Sequence, residues 1–205
     1  ILSPEMSVAR SPKSYNSQIG VPMSVWQLNE LHQAAIFEAG ISRPGEMQNL
    51  EKIIRPTIGI FTNIGEAHGK NFDNIRHKVE EKLKLFLKVD TLIYCSDHKE
   101  IKEAVEKKNI NTFSWSRKDN KADVQIYSIE KGEEETVISA LSKKSQTQNS
   151  SQTLRFSDSQ IQKIRIPFTD DASIENAIHC WLAAMRLEIP DNVIETKMQQ
   201  LCPIE

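Results

Sequence analysis

Apolar and polar positions follow two different periods along the first half of the chain. Short apolar runs, which are typical of buried strands, cover residues 34–38, 57–63 and 91–95. Apolar residues at three- and four-residue spacing predict helices over residues 21–31, 45–54, 75–88 and 99–108. Strands that alternate with helices are typical of parallel strands joined by helical crossovers. The pattern therefore predicts an α/β fold with a mostly parallel sheet and flanking helices.

The pattern in the second half changes to short alternating strands around turns. This predicts an added antiparallel β region over residues 113–168. Within that region, the polar, low-complexity stretch 142–153 predicts a mobile loop. Residues 169–205 predict C-terminal helices, the first of them capped by Ser173. We interpret the whole chain as a single domain, whose residues 1–112 form the α/β part.

Composition and charge narrow the classes of function. Of the 205 residues, 39% are hydrophobic and 26% are charged, which favours a packed core over disorder. The net charge of −2 argues against a nucleic-acid binder. No apolar stretch approaches the roughly 18 residues of a membrane span. The 3 cysteines lie far apart in the sequence, which indicates reduced thiols in a cytoplasmic protein.

Polar residues follow two of the predicted strands. The first strand ends at Glu38, and the second ends at Asn63 and continues to His68. Ligands of open α/β sheets bind at the carboxyl ends of the strands. All but one of the 7 glycines, which allow close backbone approach, also lie in the first third of the chain. A carboxylate and an imidazole at neighbouring strand ends predict a metal or phosphate site. A surface glutamate and a loop histidine are the alternative that the sequence leaves open.

Lys82 is the lysine that the helical pattern of residues 75–88 turns toward the core. With 100° per residue, Lys82 lies roughly 55° from the centre of the apolar stripe near Val79. The lysines that lie at about 95° or more by the same count are Lys78, Lys84 and Lys88. A partly desolvated amine has a lowered pKa and becomes nucleophilic. The alternative is a side-chain stem that runs along the edge of the core with its amine in water.

The remaining candidate residues carry weaker signals. Asn176 lies near a helix start, where a capping or surface role is the simpler interpretation. The histidines without a metal-binding spacing, which we assign to solvent or the core edge, are His32, His77, His98 and His179. The sequence contains neither the phosphate loop G-x-x-x-x-G-K-[ST] nor the motifs G-x-G-x-x-G and G-x-S-x-G. By itself the chain has no recognised motif for holding a triphosphate.

Five motifs, taken in order, resemble the central domain of the Mur ligases, the ATP-dependent enzymes of peptidoglycan synthesis. They are RSPKSYNSQIGVPMSV at 10–25, IFEAGISRPGEM at 36–47, IGIFTNIGEAH at 58–68, EKLKLF at 81–86 and SIENAIHCWLAA at 173–184. The resemblance covers nearly the whole chain and implies a fold related to the phosphate-loop proteins. The amino-acid sequences of the motifs are most similar to those of family members that add D-alanyl-D-alanine, in the version that is fused to an alanine racemase. Pyridoxal phosphate would belong to such a racemase domain and not to this chain.

The resemblance implies a reaction and a set of site residues. The carboxylate of UDP-N-acetylmuramoyl-tripeptide would take the γ-phosphate of ATP and become an acyl phosphate, which the amine of D-alanyl-D-alanine would attack to form an amide. Glu38 would hold one Mg²⁺, and His68 with a carbamylated Lys82 would hold a second. Carbamylation would give lysine the oxygen ligands that Mg²⁺ prefers. The cofactor-binding residues implied are Asn176, which would face the adenine, and Asn16, Ser17, Gln18 and Asn63.

The departures from the family pattern carry expectations of their own. The family's phosphate loop would lie shortly before Ile1, and the family continues into a further domain after Glu205. We therefore expect no ligase activity from this chain alone. We also expect a gap in the sheet, lined by unpaired strand edges, and a chain that is marginally stable or associates with another copy. The alternatives are a catalytically degenerate Mur-like binding domain, another amino-acid-adding Mur ligase, or an unrelated α/β domain.

Overall fold

Two sheets organise the chain. The computed structural model describes residues 1–3, 5–12, 14–65, 71–142 and 161–202. The strands are β1 (Val8–Arg10), β2 (Ala34–Ile36), β3 (Ile58–Phe61), β4 (Thr91–Cys95), β5 (Thr112–Ser116), β6 (Val124–Lys131), β7 (Thr136–Ser142) and β8 (Ile161–Ile166). The helices are α1 (Gly20–Val25), α2 (Glu46–Ile54), α3 (Ile75–Leu83), α4 (Lys99–Glu106), α5 (Asp171–Arg186) and α6 (Asp191–Gln199). Within the described ranges, no helix is long and apolar enough to cross a membrane.

The larger sheet is parallel in its first half. Its six strands follow the order β3-β4-β5-β6-β7-β8. Parallel pairing runs from β3 to β6, with α3 and α4 as the crossovers between successive strands. This confirms the predicted mostly parallel α/β sheet. Among the described strands, antiparallel pairing joins β6 to β7 and β7 to β8, so the predicted antiparallel region begins too early. Strand β5 belongs to the parallel part because it pairs with β4, which precedes it by a helix. The turn signals around β5 indicate only its nearest neighbours in sequence.

The two faces of the larger sheet pack into separate cores. Strand β4 is buried along its whole length. Ile93 and Cys95 point into the core that includes α5, whereas Leu92 and Tyr94 point into the core beneath α3 and α4. This alternation is the two-residue period of a strand that is covered on both sides. The burial of β4 thus follows from the uninterrupted apolar run in its sequence.

Several element boundaries differ from those predicted. The first helix ends at Val25, and the strand predicted over 34–38 ends at Ile36, whose side chain is 53% exposed. That strand is not buried because β1 is its one partner among the described residues. The helix predicted over 75–88 gives way after Leu83 to a short 3-10 turn, Lys84–Phe86. Residues 143–153 of the predicted mobile loop lie outside the described residues.

The first turn of α5 also begins differently from the prediction. The Asp170 backbone is extended, and its side chain accepts a hydrogen bond from the Ser173 backbone N–H at 2.8 Å. Asp170, not Ser173, is therefore the N-cap. In the usual N-cap geometry, the side-chain oxygen of the cap accepts from the backbone N–H three residues later, as Asp170 does here. Ser173 already lies inside the helix.

The division between the two sheets falls between β2 and β3. In the part of the chain that the structure describes, β1 and β2 pair with each other alone, and β3 pairs only with β4. Each of these three strands therefore has an edge without a strand partner. The sheet is interrupted as the sequence led us to expect, and the interruption lies next to the residues that follow β2 and β3.

Candidate functional site

Glu38 lies two residues beyond β2, at the carboxyl end of that strand. Its carboxylate is exposed, and its Oε1 accepts a hydrogen bond from Asn16 Nδ2 at 2.8 Å. The Gly40 backbone N–H donates to the Asn16 carbonyl at 2.8 Å. A Cβ at position 40 would lie only 3.1 Å from Asn16 Cγ. The chain after β2 and the loop before α1 are thus joined by two hydrogen bonds, one of which orients the Glu38 carboxylate.

Ser17 and Gln18 continue the loop that contains Asn16. Ser17 Oγ accepts a hydrogen bond from the Gly20 backbone N–H at 3.1 Å, so its described contact organises the start of α1. Gln18 Nε2 is buried and has no hydrogen-bond partner among the described residues. A buried donor without a partner is uncommon and marks a place where a ligand atom can accept. Of this pair, Gln18 is the stronger binding candidate.

Lys82 on α3 is half-buried, with its Nζ 5.9 Å from the centre of the Phe61 ring. Burial lowers the pKa of Lys82, and the positive charge of Lys78 lowers this pKa further. The negative charge of Glu38 acts in the opposite direction and raises the pKa. The Glu38 carboxylate is therefore close enough to the Lys82 ammonium for the two charges to interact. The structure thus brings together the candidates at the end of β2 and on α3.

Lys78 is the residue that the sequence pattern missed. The helical count placed it on the solvent side, but its side chain is only 7% exposed, and its Nζ donates to the Gly65 carbonyl at 2.8 Å. The prediction for Lys78 was wrong because the residues that follow β3 pack over this side of α3. The spacing of apolar residues within a helix does not show whether a neighbouring segment covers a polar position. The sequence signal that could have identified Lys78 is its four-residue interval from Lys82, which makes the two lysines neighbours on a helix.

The structure does not describe the third candidate ligand. His68 lies within residues 66–70, outside the described part of the chain. Asn63 is described and its side chain is exposed after β3. Among the described residues, no three His, Cys, Asp or Glu side chains are grouped so that they could hold a metal ion. An ammonium cannot bind Mg²⁺, so Glu38 and Lys82 fit a magnesium site only when Lys82 carries a carboxylate-like group.

Asn176 is exposed on the first turns of α5, beside a buried histidine network. The neighbouring Glu175 Oε1 lies 2.8 Å from His98 Nε2, and this hydrogen bond raises the pKa of His98. His179 is 2% exposed, and burial lowers its pKa to about 4. Trp115 Nε1 donates to His179 Nδ1 at 3.4 Å. The assignment of His179 to solvent or the core edge was therefore wrong, because its partner Trp115 is distant in sequence. The His98 side chain is 35% exposed, which agrees with that assignment.

The sequence matches the Mur ligase middle domain over residues 1–184. The chain belongs to this family. Its curated relatives include UDP-N-acetylmuramoyl-tripeptide--D-alanyl-D-alanine ligases. The Treponema pallidum protein is 36% identical over 86 residues, which cover 42% of this chain and 19% of that protein. The Bacillus subtilis protein is 32% identical over 100 residues, which cover 47% of this chain and 22% of that protein. The chain therefore matches about a fifth of the length of these relatives.

Solved structures of MurF proteins share the fold of this Mur ligase middle domain. MurF from Acinetobacter baumannii aligns with a TM-score of 0.78 at 21% identity, over 100% of this chain and 42% of that one. MurF from Thermotoga maritima in complex with ADP also aligns with a TM-score of 0.78, at 17% identity, over 99% of this chain and 44% of that one. At these identities the likeness establishes the fold, and it agrees with the predicted Mur ligase central domain.

Proposed function

We propose that this Mur ligase middle domain is the ATP-binding part of a cytoplasmic enzyme that joins UDP-N-acetylmuramoyl-tripeptide to D-alanyl-D-alanine in peptidoglycan synthesis. The observation that carries the proposal is the convergence of Glu38, held by Asn16, and the half-buried Lys82 at one end of the fold. The names of the sequence relatives supply the substrate class. Fusion to an alanine racemase remains a prediction for the complete reading frame.

The proposed reaction brings a carboxylate close to the phosphates of ATP. The site residues must therefore stabilise several negative charges that lie close together. A carboxylate attacks the γ-phosphorus of ATP, and ADP leaves to give an acyl phosphate. An amine then attacks the acyl carbon, and phosphate and a proton leave to give the amide. Bound Mg²⁺ would supply charge neutralisation at the phosphate oxygens. Glu38 and a carbamylated Lys82 are the described residues proposed to hold it, with His68 as a further ligand. The positions of these oxygens are fixed in advance by Asn16 and by the packing of α3.

The proposed nucleotide contacts come from the loop before α1 and from α5. Gln18 has a buried amide nitrogen that is available to an acceptor on a phosphate or sugar. Asn176 presents an exposed amide on α5, which we propose faces the adenine. Asn16, Ser17 and Asn63 complete the proposed set of cofactor-binding residues. Amide side chains suit this task because each offers both a donor and an acceptor.

The proposed function is tested on the full-length translation product that contains these 205 residues. ATP-dependent conversion of UDP-N-acetylmuramoyl-tripeptide to the pentapeptide should require D-alanyl-D-alanine and Mg²⁺. Glu38→Gln and Lys82→Met should each lower kcat by about 100-fold, since each removes charge stabilisation from the phosphoryl-transfer step. Glu80→Gln and Lys99→Met are the matched controls, because both residues form ion pairs on exposed helix surfaces.

Each alternative function has its own result in this assay. Turnover with a single amino acid in place of the dipeptide would identify another amino-acid-adding ligase. Nucleotide binding without turnover would identify a degenerate binding domain and would contradict the proposal. The isolated 205-residue chain should show no turnover, because its sequence contains no phosphate loop. Measurable amide formation by the isolated chain would overturn that last expectation.

A further inference from the structure

Two lysines lie one helical turn apart on the inner side of α3. Lys78 and Lys82 are separated by four residues, a spacing that brings their Cβ atoms to within about 5–6 Å of each other on a helix. Lys78 is 7% exposed and Lys82 is half-buried, so water screens their charges less than it would on the surface. Two ammonium groups in this arrangement repel each other. A negatively charged group between them would relieve this repulsion.

The position of Lys78 is fixed by the chain that leaves β3. Its Nζ donates to the Gly65 carbonyl at 2.8 Å, which directs the ammonium toward the residues that follow β3. The positive charge of Lys78 lowers the pKa of Lys82, so Lys78 supplies positive charge beside Lys82. Two other lysines of this region lie beside carboxylates: Lys84 Nζ hydrogen-bonds Glu81 Oε1, and Lys88 Nζ lies 3.1 Å from Glu51 Oε1.

We propose that Lys78 is a positioning residue whose buried ammonium stabilises a carbamate on Lys82. The inference rests on the proposed function, in which that carbamate is a magnesium ligand. Carbamylation converts the repulsion between two ammonium groups on α3 into attraction between an ammonium and a carboxylate-like group. It also places a second negative group near Glu38, and the charge of Lys78 offsets the repulsion that this creates.

The covalent step needs carbon dioxide as its one co-reactant. The uncharged Nζ of Lys82 attacks the carbon of CO₂, and an N–C bond forms. One C=O π-electron pair moves onto oxygen, and the nitrogen loses one proton to solvent. The product is R–NH–COO⁻ with no change in oxidation state. Lys78 remains an ammonium throughout and exchanges no atom with Lys82.

The carbamate can be measured without nucleotide or substrate. The full-length protein is equilibrated with ¹³C-labelled bicarbonate, and the carbamate carbon is followed by ¹³C NMR as dissolved CO₂ is raised. The wild-type signal should disappear in Lys82→Met, which assigns it. In Lys78→Met the CO₂ concentration for half-occupancy should rise about tenfold or more, the effect of removing an opposite charge at this range. Lys78→Arg should restore occupancy, because it keeps the charge.

Lys99→Met is the matched control, since it removes a lysine that is exposed on α4. A purely structural role for Lys78 would appear as a lower thermal midpoint with unchanged carbamate occupancy in the folded protein. That result would overturn the inference, as would a wild-type protein without a signal that depends on Lys82. Because the measurement contains no ATP, failure of the inference is distinct from failure of the ligase assay.

Discussion

The buried histidine of α5 shows how a single residue sets a pH dependence. His179 is neutral in the fold because burial lowers its pKa from 6.5 to about 4. His98 acts in the opposite direction, since its hydrogen bond to Glu175 raises its pKa. The contribution of His98 to stability is full below pH 6.5, its value in the unfolded chain, and is lost as pH rises through its folded pKa. The two histidines therefore weaken the fold on opposite sides of pH 6.5.

We predict that His179 makes the protein less stable as pH falls from 6.5 to about 4. In that window the unfolded chain binds a proton that folded His179 does not, so the free energy of unfolding falls by at most about 1.4 kcal/mol per pH unit. His179→Asn keeps an acceptor for Trp115 Nε1 and removes the titrating ring. Urea unfolding at several pH values should therefore give a shallower slope for the variant. Equal slopes for the two proteins would contradict the prediction, because His98 is present in both.

At the same scale, the sequence predicted some site residues and missed others for a physical reason. The inward turn of Lys82 could be predicted because a helix fixes the direction of each side chain relative to its own apolar stripe. The contact of Lys78 with Gly65 and that of His98 with Glu175 join elements that are 13 and 77 residues apart. Contacts of this kind depend on how helices pack on the sheet, which no single element encodes.

At the scale of elements, prediction succeeded where an element carries its own pattern. Helix α2 and strand β4 begin and end within one residue of the predicted bounds, because burial of each is set by a strong local period. The helix predicted over residues 21–31 failed after Val25. Trp26 and Leu31 lie within the range predicted as helix, and they are 90% and 79% exposed. An apolar stripe predicts a helix face only where another element covers it.

Strand β3 offers a test of packing between elements. A Cβ on Gly59 would lie 2.6 Å from Phe86 Cδ1 and 3.1 Å from Leu92 Cδ1, so the interior of the strand has no room for a methyl group. Gly59→Ala should lower the free energy of unfolding by about 1–3 kcal/mol, measured by urea denaturation. The Phe86 ring is also packed 5.9 Å from the Phe61 ring, whose face lies beside Lys82. The strain should therefore extend to the candidate site.

A second substitution separates overcrowding from other effects of alanine at this position. Phe86→Leu shortens the side chain that the new methyl group meets, so the double variant Gly59→Ala with Phe86→Leu should lose less stability than the two single losses added together. Strict additivity of the two losses would show that Gly59 and Phe86 do not compete for space, and would contradict the packing argument.

At the scale of the whole molecule, the fold class could be predicted but the pairing of its strands could not. The alternation of strands and helices up to residue 108 is a property of the sequence and leads directly to a parallel sheet. Whether β5 pairs with β4 or begins an antiparallel meander depends on side chains more than fifteen residues apart that meet only after folding. The turn signals after residue 112 favoured the wrong partner because they describe local geometry alone.

The interrupted sheet leads to a last prediction, for the 205-residue chain in isolation. Within the described residues, β2 and β3 each have an edge without a strand partner, and such edges are templates for pairing with another chain. Ile36 and Ile60 lie on these strands and are 53% and 36% exposed, so association would also bury apolar surface. Sedimentation velocity should show dimers or larger species that increase with concentration. Ile60→Lys should shift the distribution toward monomer, since a lysine on an edge strand opposes pairing, whereas Tyr127→Lys on β6 should not. A chain that sediments as a monomer at every concentration, with one sharp thermal transition, would mean that these edges are covered by its own loops.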